Sequence, residues 1–172
     1  MARGKYSSNN ALNNLTGKEW LILTKSFLYS EKTKEDRDAL KHPAPFLIKD
    51  VQKFISMFTK KNMLVLDPFV GSGTTIIASH HIGRKCIGID LSREYYKISL
   101  DRFSKCGLVL GNDYKYMVGD SLKLIDKLQM VDYIITSPPY HNILKNKSKG
   151  IRFDASNKGI GYRSGPRRGI SY

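Results

Sequence analysis

The sequence has little cysteine and no long apolar run. Its 172 residues include only two cysteines, Cys86 and Cys106, whose separation fits neither a metal site nor a disulfide framework. No segment approaches the roughly 18 apolar residues of a membrane span. The first residues lead into polar Ser and Asn, so no secretory signal is visible. These absences predict a cytoplasmic protein without a metal centre or membrane contact.

Acidic residues are scarce relative to basic ones. The chain has 29 Lys and Arg against 15 Asp and Glu, which gives a net charge of +14. This excess favours a polyanionic partner, most simply nucleic acid, although a basic surface that only aids solubility is the alternative. Residues 141–172 hold half of the net charge and five glycines. A segment with so little to bury is expected to be mobile without a partner.

Apolar runs and helical patterns alternate along the middle of the chain. Strands are predicted at residues 63–66, 85–90, 116–120 and 131–136. Helices are predicted at about 46–58, from the end of the glycine-rich loop to His81, at about 93–104 and at 122–128. The alternation predicts an α/β fold with a parallel, doubly wound sheet. Residues 19–29 fit either a strand or a helix, and residues 30–41 fit a surface loop or a short helix.

A glycine-rich loop, Asp67 to Gly73, lies between the first predicted strand and a helix. In that context such loops bind nucleotide-like ligands. Gly71 and Gly73 allow a ligand to approach the backbone closely. No third glycine stands at the dinucleotide-binding spacing and no Gly-Lys-Ser/Thr follows, so a phosphate-cradling loop is disfavoured.

Three carboxylates are expected at the carboxyl ends of successive strands. Asp90 is placed to accept the hydroxyl hydrogens of a ribose, Asp120 to receive an adenine amino group and Asp67 to meet an ammonium group. Together they suit a cationic, amine-bearing ligand better than a pyrophosphate, because like charges repel. The alternative is that these acids only cap helices and turns.

The fourth predicted strand ends at Ser137-Pro138-Pro139-Tyr140. The two prolines remove N–H donors, which leaves the Ser137 hydroxyl and neighbouring carbonyls as acceptors. Tyr140 adds a flat ring for stacking. This combination suits the amino group and face of a flipped-out base, although a proline-rich turn that closes a strand is the simpler alternative.

Two motifs in this order carry a family resemblance. Asp67-Pro68-Phe69-Val70-Gly71-Ser72-Gly73-Thr74-Thr75, followed by Thr136 to Tyr140, resembles the paired signature of the S-adenosylmethionine-dependent DNA amino-methyltransferases. These enzymes modify N4 of cytosine or N6 of adenine. Lys41 to Phe46 is similar to the family segment that helps hold the methionine part of the cofactor. The resemblance covers about residues 15–145 and implies a seven-stranded Rossmann-like sheet.

The resemblance also implies roles for particular residues. The cofactor S-adenosyl-L-methionine would contact His42, Pro43, Phe46, Asp67, Pro68, Phe69, Gly71, Ser72, Gly73, Thr74, Asp90 and Asp120. The target base of double-stranded DNA would be held by Ser137, Pro138, Pro139 and Tyr140. The methyltransferase core would span residues 41–140, between an N-terminal polar and aromatic segment at 1–40 and the basic, glycine-rich tail at 141–172.

Two features bear on the reaction. Ser137 at the first position of its motif favours N4 of cytosine over N6 of adenine within the family. The carbon-5 cytosine enzymes typically need a cysteine after a proline, and neither Cys86 nor Cys106 follows one. That reaction is therefore rejected.

The sequence departs from the family pattern after Tyr140. Four strands are predicted rather than seven, and the 32 remaining residues are basic and glycine-rich. We expect a truncated member or half of a split enzyme completed by a second polypeptide, with a compact low-specificity enzyme as a third explanation. A restriction-modification role is typical of the family. Alternatives are a methyltransferase for RNA or protein amides, which would favour Asn at position 137, and a non-enzymatic cofactor-binding module that attaches to nucleic acid through residues 141–172.

Overall fold

The structure, a computed structural model, describes residues 9–27, 29–41, 46–138, 151–154 and 159–162. The chain divides into two units, residues 1–138 and residues 139–172. Within the described residues, no helix is long and apolar enough to cross a membrane.

The first unit alternates helices and strands. In chain order they are α1 (Gly17–Leu23), α2 (Ile48–Phe58), β1 (Leu64–Asp67), α3 (Thr74–His81), β2 (Lys85–Asp90), α4 (Arg93–Lys105), β3 (Tyr114–Val118), α5 (Ser121–Leu124) and β4 (Tyr133–Ile134). Short 3-10 helices lie at Lys34–Asp36, Asp38–Lys41 and Ile125–Lys127. In the second unit, β5 (Ile151–Asp154) and β6 (Gly159–Tyr162) pair antiparallel. The sequence analysis does not predict these last two strands.

The four strands of the first unit form one parallel sheet in the order β3-β2-β1-β4. The predicted α/β fold is thereby confirmed. β3 begins two residues before its predicted start. β4 is short, but the hydrogen bonds from Asp132 N to Leu64 O and from Ile135 N to Leu66 O extend its pairing with β1 on both sides.

Side chains from both faces of the sheet are packed. Val65 and Cys86 face a large apolar cluster that includes residues of α2, α3 and α4. Leu66, Ile87 and Ile89 face a smaller cluster on the other side. Because alternate side chains of a strand point to opposite faces, the continuous apolar runs of β1 and β2 serve both clusters.

Helix α2, predicted at about residues 46–58, buries one of its faces. Ile48, Val51 and Ile55 are buried, at the spacing of one helical face. Phe54 and Phe58 remain partly exposed, and the Phe58 ring stacks on Tyr133 of β4 at 5.6 Å between centroids.

The first part of the ambiguous segment at residues 19–29 is helical. Thr16 precedes α1 and forms a capping box, in which its hydroxyl accepts from Glu19 N at 3.3 Å and its own N–H donates to the Glu19 carboxylate at 2.8 Å. These reciprocal bonds satisfy amide donors that a helix start leaves unpaired, which favours helix over strand at this point.

Candidate functional site

The carboxyl ends of all four strands of the first unit meet at one edge of the sheet. β1 lies between β2 and β4, so the glycine-rich loop after β1 has the loop after β2 on one side and the loop after β4 on the other. Ligands of open α/β sheets bind at this edge. The two motifs that carry the sequence resemblance thus follow neighbouring strands.

The glycine-rich loop contains two residues with positive φ. Gly71 has a φ of 51° and Gly73 a φ of 83°. A Cβ added to Gly73 would lie 2.7 Å from the Phe103 ring of α4. Packing against α4 therefore explains the second glycine, in addition to the close ligand approach that the sequence predicts.

Asp90 joins the glycine-rich loop to the start of α4. Its carboxylate accepts hydrogen bonds from Gly71 N at 2.9 Å and from Ser92 N at 2.8 Å. Each carboxylate oxygen has a further lone pair, so the half-buried group can still accept ribose hydroxyls. Ser92 caps α4 as predicted, since its hydroxyl accepts from Tyr95 N at 3.2 Å.

Asp67 is buried, with 1% of its surface exposed. Its carboxylate accepts from Phe69 N at 3.0 Å and from the Thr75 hydroxyl at 2.5 Å. Burial raises the pKa of Asp67, and the charge of Asp90 adds to the shift, while the hydrogen bonds oppose it. The side chain thus orders the loop from within, and its contact with an ammonium group stays a prediction.

Thr136, the residue before Ser137, lies close to Asp67 at the end of β1. Its hydroxyl lowers the pKa of the Asp67 carboxyl. The Thr136 hydroxyl oxygen is buried and makes no hydrogen bond within the distance limit to a described residue.

The side chains of Ser72 and Thr74 turn into the protein rather than toward the open edge. Both hydroxyls accept from Arg102 Nη1 of α4, at 3.1 and 2.9 Å. The carbonyl of Pro68 likewise accepts from the Ser121 hydroxyl of α5. Any contact of these three loop residues with a cofactor stays a prediction.

Sequence reasoning missed two residues that hold this loop. Arg102 is one, and Tyr116, whose hydroxyl donates to Gly71 O at 2.7 Å, is the other. Arg102 lies next to Phe103 and three residues after Ser99, all of which are buried on one face of α4. An arginine on the buried face of an amphipathic helix is the signal that would have identified it.

The remaining predicted cofactor residues differ in their exposure and in their contacts. Phe69, within the glycine-rich loop, exposes 42% of its surface, and the half-buried Phe46 packs against the large apolar cluster. Asp120 is exposed and caps α5, with its carboxylate accepting from Leu122 N at 3.0 Å. The neighbouring Gly119 N donates to Asp90 O at 2.9 Å, which brings these strand ends together.

The acceptor motif is described only in its first half. Ser137 is half-buried and Pro138 is exposed after the end of β4. His42, Pro43, Pro139 and Tyr140 lie outside the described residues. Cys86 is fully buried in β2, and burial raises the pKa of its thiol far above the ordinary value, which disfavours a thiolate nucleophile.

The parallel sheet and its glycine-rich loop define the chain as a Rossmann-like methyltransferase fold. TrmN from Thermus thermophilus shares this fold with a TM-score of 0.51 at 24% identity, over 65% of this chain and 33% of that one. Precorrin 8W decarboxylase from Methanobacterium thermoautotrophicum also gives a TM-score of 0.51, at 17% identity over 62% of this chain and 57% of its own.

The sequence profile of a family described as DNA methylase matches residues 4–101. The chain therefore belongs to this family, the N6 and N4 DNA amino-methyltransferases, as the two motifs predict. The family uses S-adenosylmethionine, so the predicted cofactor is confirmed as well.

Curated relatives match shorter stretches of the chain. The type II methyltransferase M2.LlaDCHI of Lactococcus lactis subsp. cremoris is 44% identical over 72 residues, which are 42% of this chain and 27% of that protein. The type II methyltransferase M2.DpnII of Streptococcus pneumoniae is 42% identical over 69 residues, 40% of this chain and 26% of that protein. Each match spans only about a quarter of the relative's own length.

Proposed function

We propose that the chain carries the cofactor site and the acceptor loop of a DNA methyltransferase that methylates the exocyclic amine of a flipped base. The adjacency of β1 and β4, with Val65 opposite Tyr133 and Leu66 opposite Ile134, carries this proposal. Neighbouring strands lie about 4.8 Å apart, so the loops that follow them can hold two reactants in contact.

The residues at the strand ends suit the cofactor. The remaining lone pairs of Asp90 would hold the ribose hydroxyls, and Phe69 would pack against the ligand beside the glycine-rich loop. Asp120 would receive the adenine amino group, as the resemblance implies. Bound S-adenosylmethionine supplies an electrophilic methyl group on a positively charged sulfur, which the nearby carboxylates favour electrostatically.

The acceptor loop would activate a poor nucleophile. The Ser137 hydroxyl and the Pro138 carbonyl would accept hydrogen bonds from the amine and favour a pyramidal nitrogen. The nitrogen lone pair would then be free to attack the methyl group that the cofactor supplies, and the proton released from the amine would pass to solvent. Catalysis rests on positioning and electrostatics, without a covalent enzyme intermediate.

Two single observations support the choice of base and the completion of the catalytic domain. Ser137 favours N4 of cytosine over N6 of adenine. Among the described strands β4 is an edge strand, and Ile134 exposes 55% of its surface there. This edge supports completion of the catalytic domain by further strands, in the split-enzyme case from a second polypeptide, before double-stranded DNA is methylated.

Transfer of labelled methyl groups to DNA, RNA and protein, with and without candidate partner chains, tests the proposal. We expect label in DNA alone, recovered as N4-methylcytosine after digestion, and little or none from the isolated chain. In the presence of the partner chain that restores activity, Ser137→Ala should abolish transfer, whereas Ser104→Ala on the exposed side of α4 should not. Label only in RNA or protein would overturn the proposal.

A further inference from the structure

We propose that Arg102 is a positioning residue that holds the glycine-rich loop in its cofactor-binding conformation without touching the ligand. The side chain lies buried behind this loop and also reaches the backbone next to the buried Asp36. This inference rests on the proposed function, because it assumes that the loop binds the cofactor.

Arg102 binds the glycine-rich loop on both sides of Gly73. Its Nη1 donates to Ser72 O at 2.6 Å, Ser72 Oγ at 3.1 Å and Thr74 Oγ1 at 2.9 Å. Only 3% of its surface is exposed. Because Gly73 has a φ of 83°, the loop makes a tight left-handed turn at this point, and acceptors on both sides of that turn converge on one guanidinium.

Asp36 joins the 3-10 helix at Lys34–Asp36 to the start of α2. Its buried carboxylate accepts from Ile48 N at 3.0 Å, from Thr33 N at 2.6 Å and from Thr33 Oγ1 at 2.8 Å. The backbone beside Arg102 is therefore itself held in place.

Arg102 also connects the glycine-rich loop to the 3-10 helix at Lys34–Asp36. Its Nη2 donates to Glu35 O at 3.5 Å. Burial lowers the pKa of Arg102, and the charge of Asp36 opposes this lowering more than any other charge does. The guanidinium lies between the loop and this 3-10 helix, so its removal would leave acceptors on both sides without their donor.

Arg84 provides a matched comparison. It is also a buried arginine, with 5% exposure, and donates to Thr59 Oγ1 at 3.1 Å, Thr59 O at 3.0 Å and Ile82 O. It precedes β2 and therefore lies at the opposite end of the sheet from Asp90. A role confined to stability would give Arg84 and Arg102 the same phenotype.

The test compares Arg102→Met, Arg102→Lys and Arg84→Met in the full chain. The measurements are S-adenosylmethionine affinity by calorimetry, urea unfolding, and amide hydrogen exchange at Gly71 and Gly73 in the ligand-free chain. Both Met variants should unfold at lower urea. Only Arg102→Met should lower the affinity for the cofactor by tenfold or more and accelerate hydrogen exchange in the glycine-rich loop. Arg102→Lys should show intermediate effects on both measurements.

Thr74→Val should weaken the cofactor in the wild-type background and have little further effect with Arg102→Met. If Arg102→Met does not fold, Arg102→Lys and Thr74→Val carry the same comparison.

The outcomes separate this inference from the proposed function. Equal cofactor affinity in Arg102→Met and Arg84→Met would overturn the positioning role and leave the proposed function standing. Absence of binding by the wild-type chain would instead overturn the cofactor assignment itself. In that case the hydrogen-exchange comparison alone would still show whether Arg102 orders the loop.

Discussion

The backbone N–H of Gly71 donates a hydrogen bond of 2.9 Å to the carboxylate of Asp90, which lies 19 residues further along the chain. The same carboxylate accepts from Ser92 N. The acid at the tip of β2 thus fixes the glycine-rich loop of β1 in place. A site held in its binding conformation in this way loses less entropy when it binds a ligand.

Substitution of Asp90 should separate ribose binding from loop support. Asp90→Ala removes both and should weaken S-adenosylmethionine by at least about tenfold, roughly 1.4 kcal/mol, because hydrogen bonds to charged groups contribute about 1.5–3 kcal/mol. Asp90→Asn keeps one acceptor oxygen, so its affinity for S-adenosylmethionine should lie between those of Asp90→Ala and the wild type. Calorimetric titration of the cofactor measures these differences.

Asp113→Asn serves as the control for these variants. Asp113 precedes β3 at the other end of the sheet, where it pairs with Lys85 at 2.9 Å. Its substitution should leave cofactor affinity unchanged. Wild-type affinity in Asp90→Ala would remove Asp90 from the site.

Two glycines with positive φ allow a paired test of loop packing. Gly83 has a φ of 68°, and a Cβ added there would meet no atom within 4 Å. Gly83→Ala should therefore lower the unfolding free energy by about 1–2 kcal/mol from backbone strain alone. Gly73 has a φ of 83°, and the Cβ of Gly73→Ala would also clash with the Phe103 ring. The clash should lower the unfolding free energy by about 1–3 kcal/mol more. Equal losses of unfolding free energy in the two variants would contradict the predicted clash.

The sequence was sufficient to place Asp67 and Asp90 at the ends of β1 and β2, but not to predict the contacts behind them. Asp67 and Asp90 each end an apolar run that predicts a buried strand. Because the strands of a parallel sheet end at the same edge, both residues are expected at that edge. The inward turn of Ser72 and Thr74 depends on Arg102, which is 28 residues from Thr74 along the chain. No local pattern encodes such a distant pairing. Asp36 was missed for the same reason, since its acceptor role toward Ile48 spans a loop.

The β5–β6 pair was missed for a different reason. The residues of Gly159–Tyr162 include two glycines, which are depleted in strands, and the surrounding segment is rich in charge. Composition therefore favoured a mobile tail. The pairing of Ile151 with Tyr162 and of Phe153 with Ile160 depends on register between two short segments, which composition does not reveal.

The buried Asp67 should make stability depend on pH. Burial raises its pKa above the ordinary value of about 4, so between these two values the folded chain binds a proton that the unfolded chain releases. The contribution of Asp67 is thus fully present below about pH 4 and is lost as pH rises through the folded pKa. Urea unfolding of the wild type and Asp67→Asn across this range measures it. If the unfolding free energy of the wild type rose relative to that of Asp67→Asn as the pH increased, the burial argument would be contradicted.

The basic residues at 141–172 should bind nucleic acid through its phosphates. Each phosphate contact releases counterions, so log affinity should fall with log salt by about 0.9 per contact. Replacing Arg167 and Arg168 with Gln should reduce that slope by about 2 if both contact phosphates. The matched control, Lys60→Gln with Lys61→Gln, removes the same charge before β1, at the end of the sheet away from the predicted site, and should leave the slope unchanged. Fluorescence titrations of double-stranded DNA at several salt concentrations give the slopes, and an affinity independent of salt would show that the charges of the tail are only solvated.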